Sequence, residues 1–202
     1  MPIALGEKVP DFTVNTSKGP ITMSSYKGKW VLLFSHPGDF TPVCTTEFMA
    51  FTERYEDFKK LGVELIGLSI DSVYSHIAWV RDIKEKYGVE IPFPIIADVN
   101  KEVANIFNII NPADGMTVRG IFIIDPNQKV RWMAYYPAEV GRSISELIRV
   151  IKALKFNWDR KLATPANWQE GDPGVMGAPG TLEESYAREK DGAERWYLKR
   201  VK

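Results

Sequence analysis

The sequence predicts an α/β protein whose mixed sheet is flanked by helices. Three observations carry this reading: unbroken apolar runs of strand length, amphipathic helical stretches that alternate with them through residue 160, and one pair of apolar segments joined by a short turn-rich loop. Trp30-Val31-Leu32-Leu33-Phe34 is the clearest run. It is bounded by Lys27-Gly28-Lys29 and His36-Pro37-Gly38, and its lack of alternation implies a strand covered on both faces.

A single helix is expected next. Phe48, Phe51, Tyr55 and Phe58 recur at helical steps, Glu47, Glu53, Arg54, Glu56, Asp57 and Lys59 take the other faces, and Gly62 ends it. Val63 to Ile70 reads as the second strand, parallel to the first because a helix connects them. Ser72 to Tyr87 is a helix with Ile77, Val80, Ile83 and Tyr87 on its apolar face, which leaves His76 on the surface; Gly88 closes it. Ile91-Pro92-Phe93-Pro94 is a rigid connection, since proline supplies no ladder donor, and Ile95 to Ala97 a short strand.

Lys101 to Phe107 is a short helix. Gly120 to Ile124 and Val130 to Tyr136 flank Asp125-Pro126-Asn127-Gln128-Lys129, which suits an antiparallel hairpin. Ser143 to Leu154 repeats apolar residues at 144, 147, 148, 151 and 154, with Ser143 and Glu146 at capping-box spacing. This order, βαβα then ββα, is that of a thioredoxin-like fold. Residues 1–160 are expected to form it and residues 161–202 an extended C-terminal arm, rich in turn formers at 164–168 and 171–180. Trp and Tyr scattered through the arm imply that it packs on something, a second subunit being one candidate.

Composition removes several functions. The 26 basic and 26 acidic residues of this 202-residue chain balance, so no electrostatic footprint for nucleic acid or an anionic membrane is present. The apolar runs fall far short of the roughly 20 residues of a membrane span. Met1 to Lys8 lacks a basic region followed by a long apolar stretch, so no secretory signal is expected. One cysteine permits no intrachain disulfide and no thiolate zinc cluster, which fits a reducing cytoplasm. Two histidines without H-E-x-x-H argue against a catalytic metal. Walker A and G-x-G-x-x-G loops are absent, so no cofactor is expected, and Ala50 stands where a phosphatase-type C-x5-R loop needs arginine.

A lone cysteine is ordinarily a small buried hydrophobe. Cys44, however, lies between a buried strand and the start of a helix, where unpaired amides and the helix dipole favour a thiolate. The restricted loop Pro37-Gly38-Asp39-Phe40-Thr41-Pro42 leads into it. The segment from Ser35 to Glu47 resembles the active-site loop of peroxiredoxins, P-x-x-x-T-x-x-C, with Pro37, Thr41 and Cys44 in register. The resemblance covers nearly the whole chain and is closest to the one-cysteine, peroxiredoxin 6-like subfamily, including Thr164-Pro165-Ala166-Asn167-Trp168 in the arm.

The resemblance implies a thiol-dependent peroxidase in which Cys44 attacks hydrogen peroxide or an organic hydroperoxide and becomes a sulfenic acid. Thr41 would orient the peroxide, in place of the ordinary reading of a turn-capping threonine. Pro37 would shield the sulfur from water, or serve as a plain loop proline. Arg119 would contact the substrate and stabilise charge on the sulfur and the leaving oxygen, where otherwise it is a solvated strand-end residue. Glu47 would orient that arginine, or simply favour a first helical turn. Arg142 matches a second arginine of the subfamily, although a basic residue ahead of a helix is common. His36 would bond to the cysteine or help recruit reductant, or is a satisfied loop histidine.

With no second cysteine, the reductant must be an external thiol. The family also implies a homodimer, and a decameric ring of dimers in larger assemblies. The G-x-S-x-G lipase motif carried by mammalian members of the subfamily is absent, the corresponding stretch reading Tyr26-Lys27-Gly28-Lys29-Trp30, so phospholipase activity is not carried over. The rival of a different class is a thioredoxin-fold holdase in which Cys44 is only a sensor; a structural cysteine would have no need of Thr41 and Arg119.

Overall fold

The computed structural model describes residues 2–202. Near the N-terminus a short hairpin, β1 (Thr13–Val14) and β2 (Ile21–Thr22), leads into one 3-10 turn at Met23–Tyr26, elements too brief for periodicity to announce. Then come β3 (Trp30–Ser35), α1 (Pro42–Glu53), α2 (Tyr55–Lys60), β4 (Val63–Ser69), α3 (Val73–Tyr87), β5 (Ile95–Ala97), α4 (Glu102–Ile106), β6 (Arg119–Ile124) and β7 (Val130–Tyr136). The chain ends with α5 (Ile144–Arg160), β8 (Gly174–Val175), α6 (Leu182–Lys190) and β9 (Arg200–Val201).

Five strands form one mixed sheet in the order β5-β4-β3-β6-β7. β3 and β4 are parallel, from Trp30↔Val63 to Ser35↔Leu68, while β6 runs antiparallel to β3 from Val31↔Ile124 to Phe34↔Ile121. Every residue of β3 and β6 is buried, as an apolar run without alternation requires. Phe34 meets Phe51, stacked at 4.2 Å, with Phe48 and Phe93 beside it. Val31 and Leu33 instead join Phe107, Phe122 and Val103 in a second cluster. The antiparallel pairing has a functional consequence: it brings the start of β6, with Arg119, beside the loop that leaves the end of β3.

Several expected elements are corrected. The helix after β3 is broken at Arg54 (φ −99°, ψ 12°), so Phe48 and Phe51 belong to α1 and Phe58 to α2. The inward face of α3 is His76, Trp79 and Ile83; Ile77 and Tyr87 face solvent. Strand β6 begins at Arg119, one residue earlier than expected. The last helix of the series runs on to Arg160.

The chain divides into two compact units between Ile144 and Ser145. In the second, residues beyond 160 include the helix α6 and the β8-β9 ladder, Gly174↔Val201 and Val175↔Arg200. Trp168 is buried there against Phe156, with ring centroids 5.1 Å apart. Gly174 permits that packing, since a Cβ would stand 2.7 Å from the Phe156 ring.

Candidate active site

Cys44 occupies the first turn of α1. Thr41 is extended (φ −107°, ψ 148°) and Pro42, with its fixed φ and missing N–H, opens the helix. The sulfur is fully buried. Just before it, Phe40 adopts a left-handed backbone (φ 55°) with its side chain exposed, a conformation that costs a non-glycine residue about 1–3 kcal/mol and persists only where the surroundings hold it. They do so here. The Asp39 amide donates to Asp71 Oδ2 (3.0 Å), and the Thr41 hydroxyl donates to the Gly38 carbonyl (2.8 Å).

Arg119 reaches this turn from β6. Its Nε and Nη2 donate to the Ala138 carbonyl (2.9 and 2.6 Å), while Nη1 donates to Cys44 Sγ (3.3 Å) and to Glu47 Oε2 (2.7 Å). The fork is thus clamped on one side and presents its other nitrogen to the sulfur. Glu47, one helical turn from Cys44, also accepts from Arg142: Oε1 from its amide and Nε (both 2.8 Å), Oε2 from Nη2 (2.7 Å). Arg142 Nη1 donates to the Ser35 and Gly120 carbonyls (2.9 Å each), and its guanidinium lies over the Phe34 and Phe51 rings.

The side chains of Glu47 and both arginines are 0–2% exposed. Burial pushes the Glu47 carboxyl up, but the hydrogen bonds and charge of Arg142, joined by Arg119, outweigh it and hold Glu47 below the ordinary carboxylate range. Two guanidiniums against one carboxylate leave one positive charge in a dry cluster, with the sulfur of Cys44 in contact with it. A thiolate there neutralises the cluster.

The remaining expected residues fall around the same turn. The Thr41 hydroxyl makes no helix-capping bond; it is spent as a donor on Gly38, which leaves its lone pairs to accept. Pro37 is half-buried in the loop. His36 is fully buried, bonded through Nε2 to Asp39 Oδ1 (2.9 Å) and stacked on Trp79. His76 is the main correction: it is 0% exposed, and its Nδ1 lies 2.8 Å from Asp39 Oδ2. Sequence reasoning missed Asp39, Trp79 and the Ala138 carbonyl. The stripe 76-79-83 was available at helical spacing as an alternative to 77-80-83-87, but a histidine lowered its apparent apolarity. A backbone carbonyl such as that of Ala138 leaves no sequence signal.

The match to the AhpC/TSA family spans residues 5–133, and that to the C-terminal domain of 1-Cys peroxiredoxin spans residues 153–192. The chain belongs to the AhpC/TSA family, among the one-cysteine peroxiredoxins. It is 73% identical to a peroxiredoxin of Thermoplasma volcanium over the whole of both chains. A cysteine-to-serine mutant of the peroxiredoxin 6 of Arenicola marina superposes with a TM-score of 0.84 at 40% identity, covering 92% of this chain and 88% of that one. A yeast mitochondrial 1-Cys peroxiredoxin, described with a thiol resolving mechanism via glutathione/thioredoxin systems, gives 0.87 at 38% identity, covering 98% and 99%. As a peroxiredoxin the chain is a thiol-dependent peroxidase: it reduces hydroperoxides through a cysteine sulfenic acid, which an external thiol reduces back to the cysteine thiol. Its mixed sheet flanked by helices is the thioredoxin-like fold of these structures. Among the described residues no helix is long and apolar enough to cross a membrane.

Proposed function

We propose that Cys44 is the peroxidatic nucleophile and that Thr41, Pro37 and Arg119 form its immediate site. The observation that carries the assignment is the contact of the clamped Arg119 with Cys44 Sγ at the start of α1. The thiolate attacks the terminal oxygen of the hydroperoxide; an S–O bond forms, the O–O bond breaks, and the departing alkoxide or hydroxide takes up a proton to leave as alcohol or water. Arg119 stabilises the charge that moves from sulfur to the departing oxygen, the Thr41 lone pairs accept from the peroxide hydroxyl, and Pro37 limits water at the sulfur. Glu47 orients Arg119, and Arg142 holds Glu47. His36, bonded to Asp39 and stacked on Trp79, supports the loop that carries Pro37 and Thr41.

The single cysteine supports regeneration by an outside reductant. One external thiol condenses with the sulfenic acid, releasing water and leaving a mixed disulfide; a second thiol displaces Cys44 and departs as the external disulfide. We assign the reaction to residues 1–160 and assembly to residues 161–202, in a cytoplasmic homodimer able to build a decameric ring. Leu182, Tyr186, Trp196 and Tyr197 are exposed in the arm, and β7 stands at a sheet edge, features that suit subunit contact.

The test is stopped-flow mixing of reduced protein with substoichiometric peroxide, followed by tryptophan fluorescence, beside Cys44→Ser. The wild type is expected to react far faster than a small-molecule thiol and to yield a trapped sulfenate. With excess peroxide and no thiol, intact mass is expected to rise to the sulfinic or sulfonic acid. A rate no better than that of a free thiol sinks the assignment.

A further inference from the structure

His36, Asp39 and His76 form a buried triad, and the peroxidase mechanism gives no part to Asp39 or His76. Asp39 follows Gly38 in the active-site loop, His36 is the first residue after β3, and His76 comes from α3; all three side chains are 0–1% exposed. The donors and acceptors of this triad can be assigned one bond at a time. His76 Nε2 lies 3.1 Å from the Ile96 carbonyl, which only accepts, so Nε2 carries a proton. His76 Nδ1 faces Asp39 Oδ2 and His36 Nε2 faces Oδ1. With Asp39 ionised, both of those nitrogens donate. His36 Nδ1 is then left over, and among the described residues it is the one buried side-chain nitrogen or oxygen without a hydrogen-bond partner.

We propose that His76 is a positioning residue of the peroxidase site: acting through Asp39, it dictates which nitrogen of His36 carries the proton and leaves His36 Nδ1 as a bare acceptor at the root of the active-site loop. The same bonds tie that loop to α3, and the Asp39 amide ties it to Asp71, itself held by the Ser69 hydroxyl (2.7 Å). Burial lowers the basicity of His36 against the pull of Asp39, so its ring stays neutral, while burial of Asp39 is outweighed by the two histidines, which hold it well below the ordinary carboxylate range. Beyond these, the charged group that acts on His36 is Asp71. If His76 is removed, Asp39 keeps only His36 as a partner, and His36 becomes the ring that takes up the balancing charge.

The inference rests on reading Cys44 as the nucleophile, but its readout does not depend on turnover. The chain has two histidines, so 15N-histidine labelling of the full-length reduced protein yields four ring-nitrogen signals. Three protonated nitrogens and one bare one are expected, the ring that holds the bare nitrogen being assigned to His36 by its absence from His36→Asn. Two bare nitrogens would place the proton on Asp39 and overturn the proposal. In His76→Asn the bare signal is expected to disappear near neutral pH as His36 charges, and the pH profile of Cys44 oxidation to gain one ionisation. An unchanged His36 signal and profile, even with lowered stability, would reduce His76 to a packing residue. Loss of the protons from both Asp39-facing nitrogens on tight binding of added zinc, with their return on chelation, would reassign the triad to a cation. A slow wild-type oxidation with the expected nitrogen pattern would count against the peroxidase site alone.

Discussion

Replacing Glu47 with glutamine keeps the shape of the side chain and removes the only negative charge between two buried guanidiniums. The carboxylate accepts four hydrogen bonds, three from Arg142 and one from Arg119. A glutamine oxygen serves two of them, and its amide then points two further donors at the other two. Breaking a buried pair by removing one partner costs about 3–5 kcal/mol, a large part of the ~5–15 kcal/mol by which a domain is stable. The loss reaches the chemistry as well. Arg119 stays clamped at Ala138 but loses the partner on Nη1, the nitrogen that also contacts Cys44. A misplaced stabilising donor costs about 10²–10³-fold in rate, so Glu47→Gln is expected to lose both stability in urea and a comparable factor in the second-order rate of oxidation by peroxide. Both are measured on the same preparation, by equilibrium unfolding and by stopped-flow fluorescence. A variant within about 1 kcal/mol of wild type and within threefold of its rate would refute the view that Glu47 is the centre of the cluster.

Arg119→Lys keeps the charge but not the fork: one ammonium cannot hold the Ala138 carbonyl and reach Cys44 together, so the oxidation rate is expected to fall by about 10²-fold or more, and a fall under threefold argues against an orienting role. Gly120→Ala would set a Cβ 2.6 Å from Ile109 Cγ2 and 3.1 Å from Ser35 Oγ, an overpacking cost of about 1–3 kcal/mol; calorimetry should show a melting temperature lower by at least about 2 °C, and an unchanged one would mean that the strand shifts freely. Stability should fall on acidification in two stages. Neutral, buried His36 disfavours its charged form, so the first loss begins as the unfolded chain takes up its proton below about pH 6.5. Glu47 and Asp39 are depressed in the folded state, so their contribution is complete above the ordinary carboxylate range and is lost as pH falls through their lower folded values, with Asp98, raised by burial, working in the opposite sense. Urea midpoints from pH 8 to 3 check this; a flat profile between pH 7 and 5 would contradict the buried neutral histidine.

The legibility of this protein follows the range of the forces involved. Trp30–Phe34 announced a central strand because burial on both faces leaves no polar position, and Asp125–Lys129 announced a hairpin because turn residues act over a few bonds. The face of α3 was misread for the same reason in reverse. A histidine looks like a surface residue until a carboxylate 37 positions earlier in the chain folds beneath it. The break at Arg54 escaped because the apolar steps of α1 and α2 continue across it.

The sequence by itself determined the chemistry's raw materials: one sulfur at the start of a helix, a threonine and a proline in a stiff loop before it, and no second thiol to resolve it. Composition and local spacing suffice for that, since each is a property of neighbouring residues. Only the tertiary structure decided how Arg119, Glu47 and Arg142 share their protons and charge around Cys44, and that Asp39 joins the two histidines. Those bonds span 72 to 95 residues of chain in the first case and 37 between Asp39 and His76 in the second. Their strength comes from burial in the same dry interior, which no local pattern encodes.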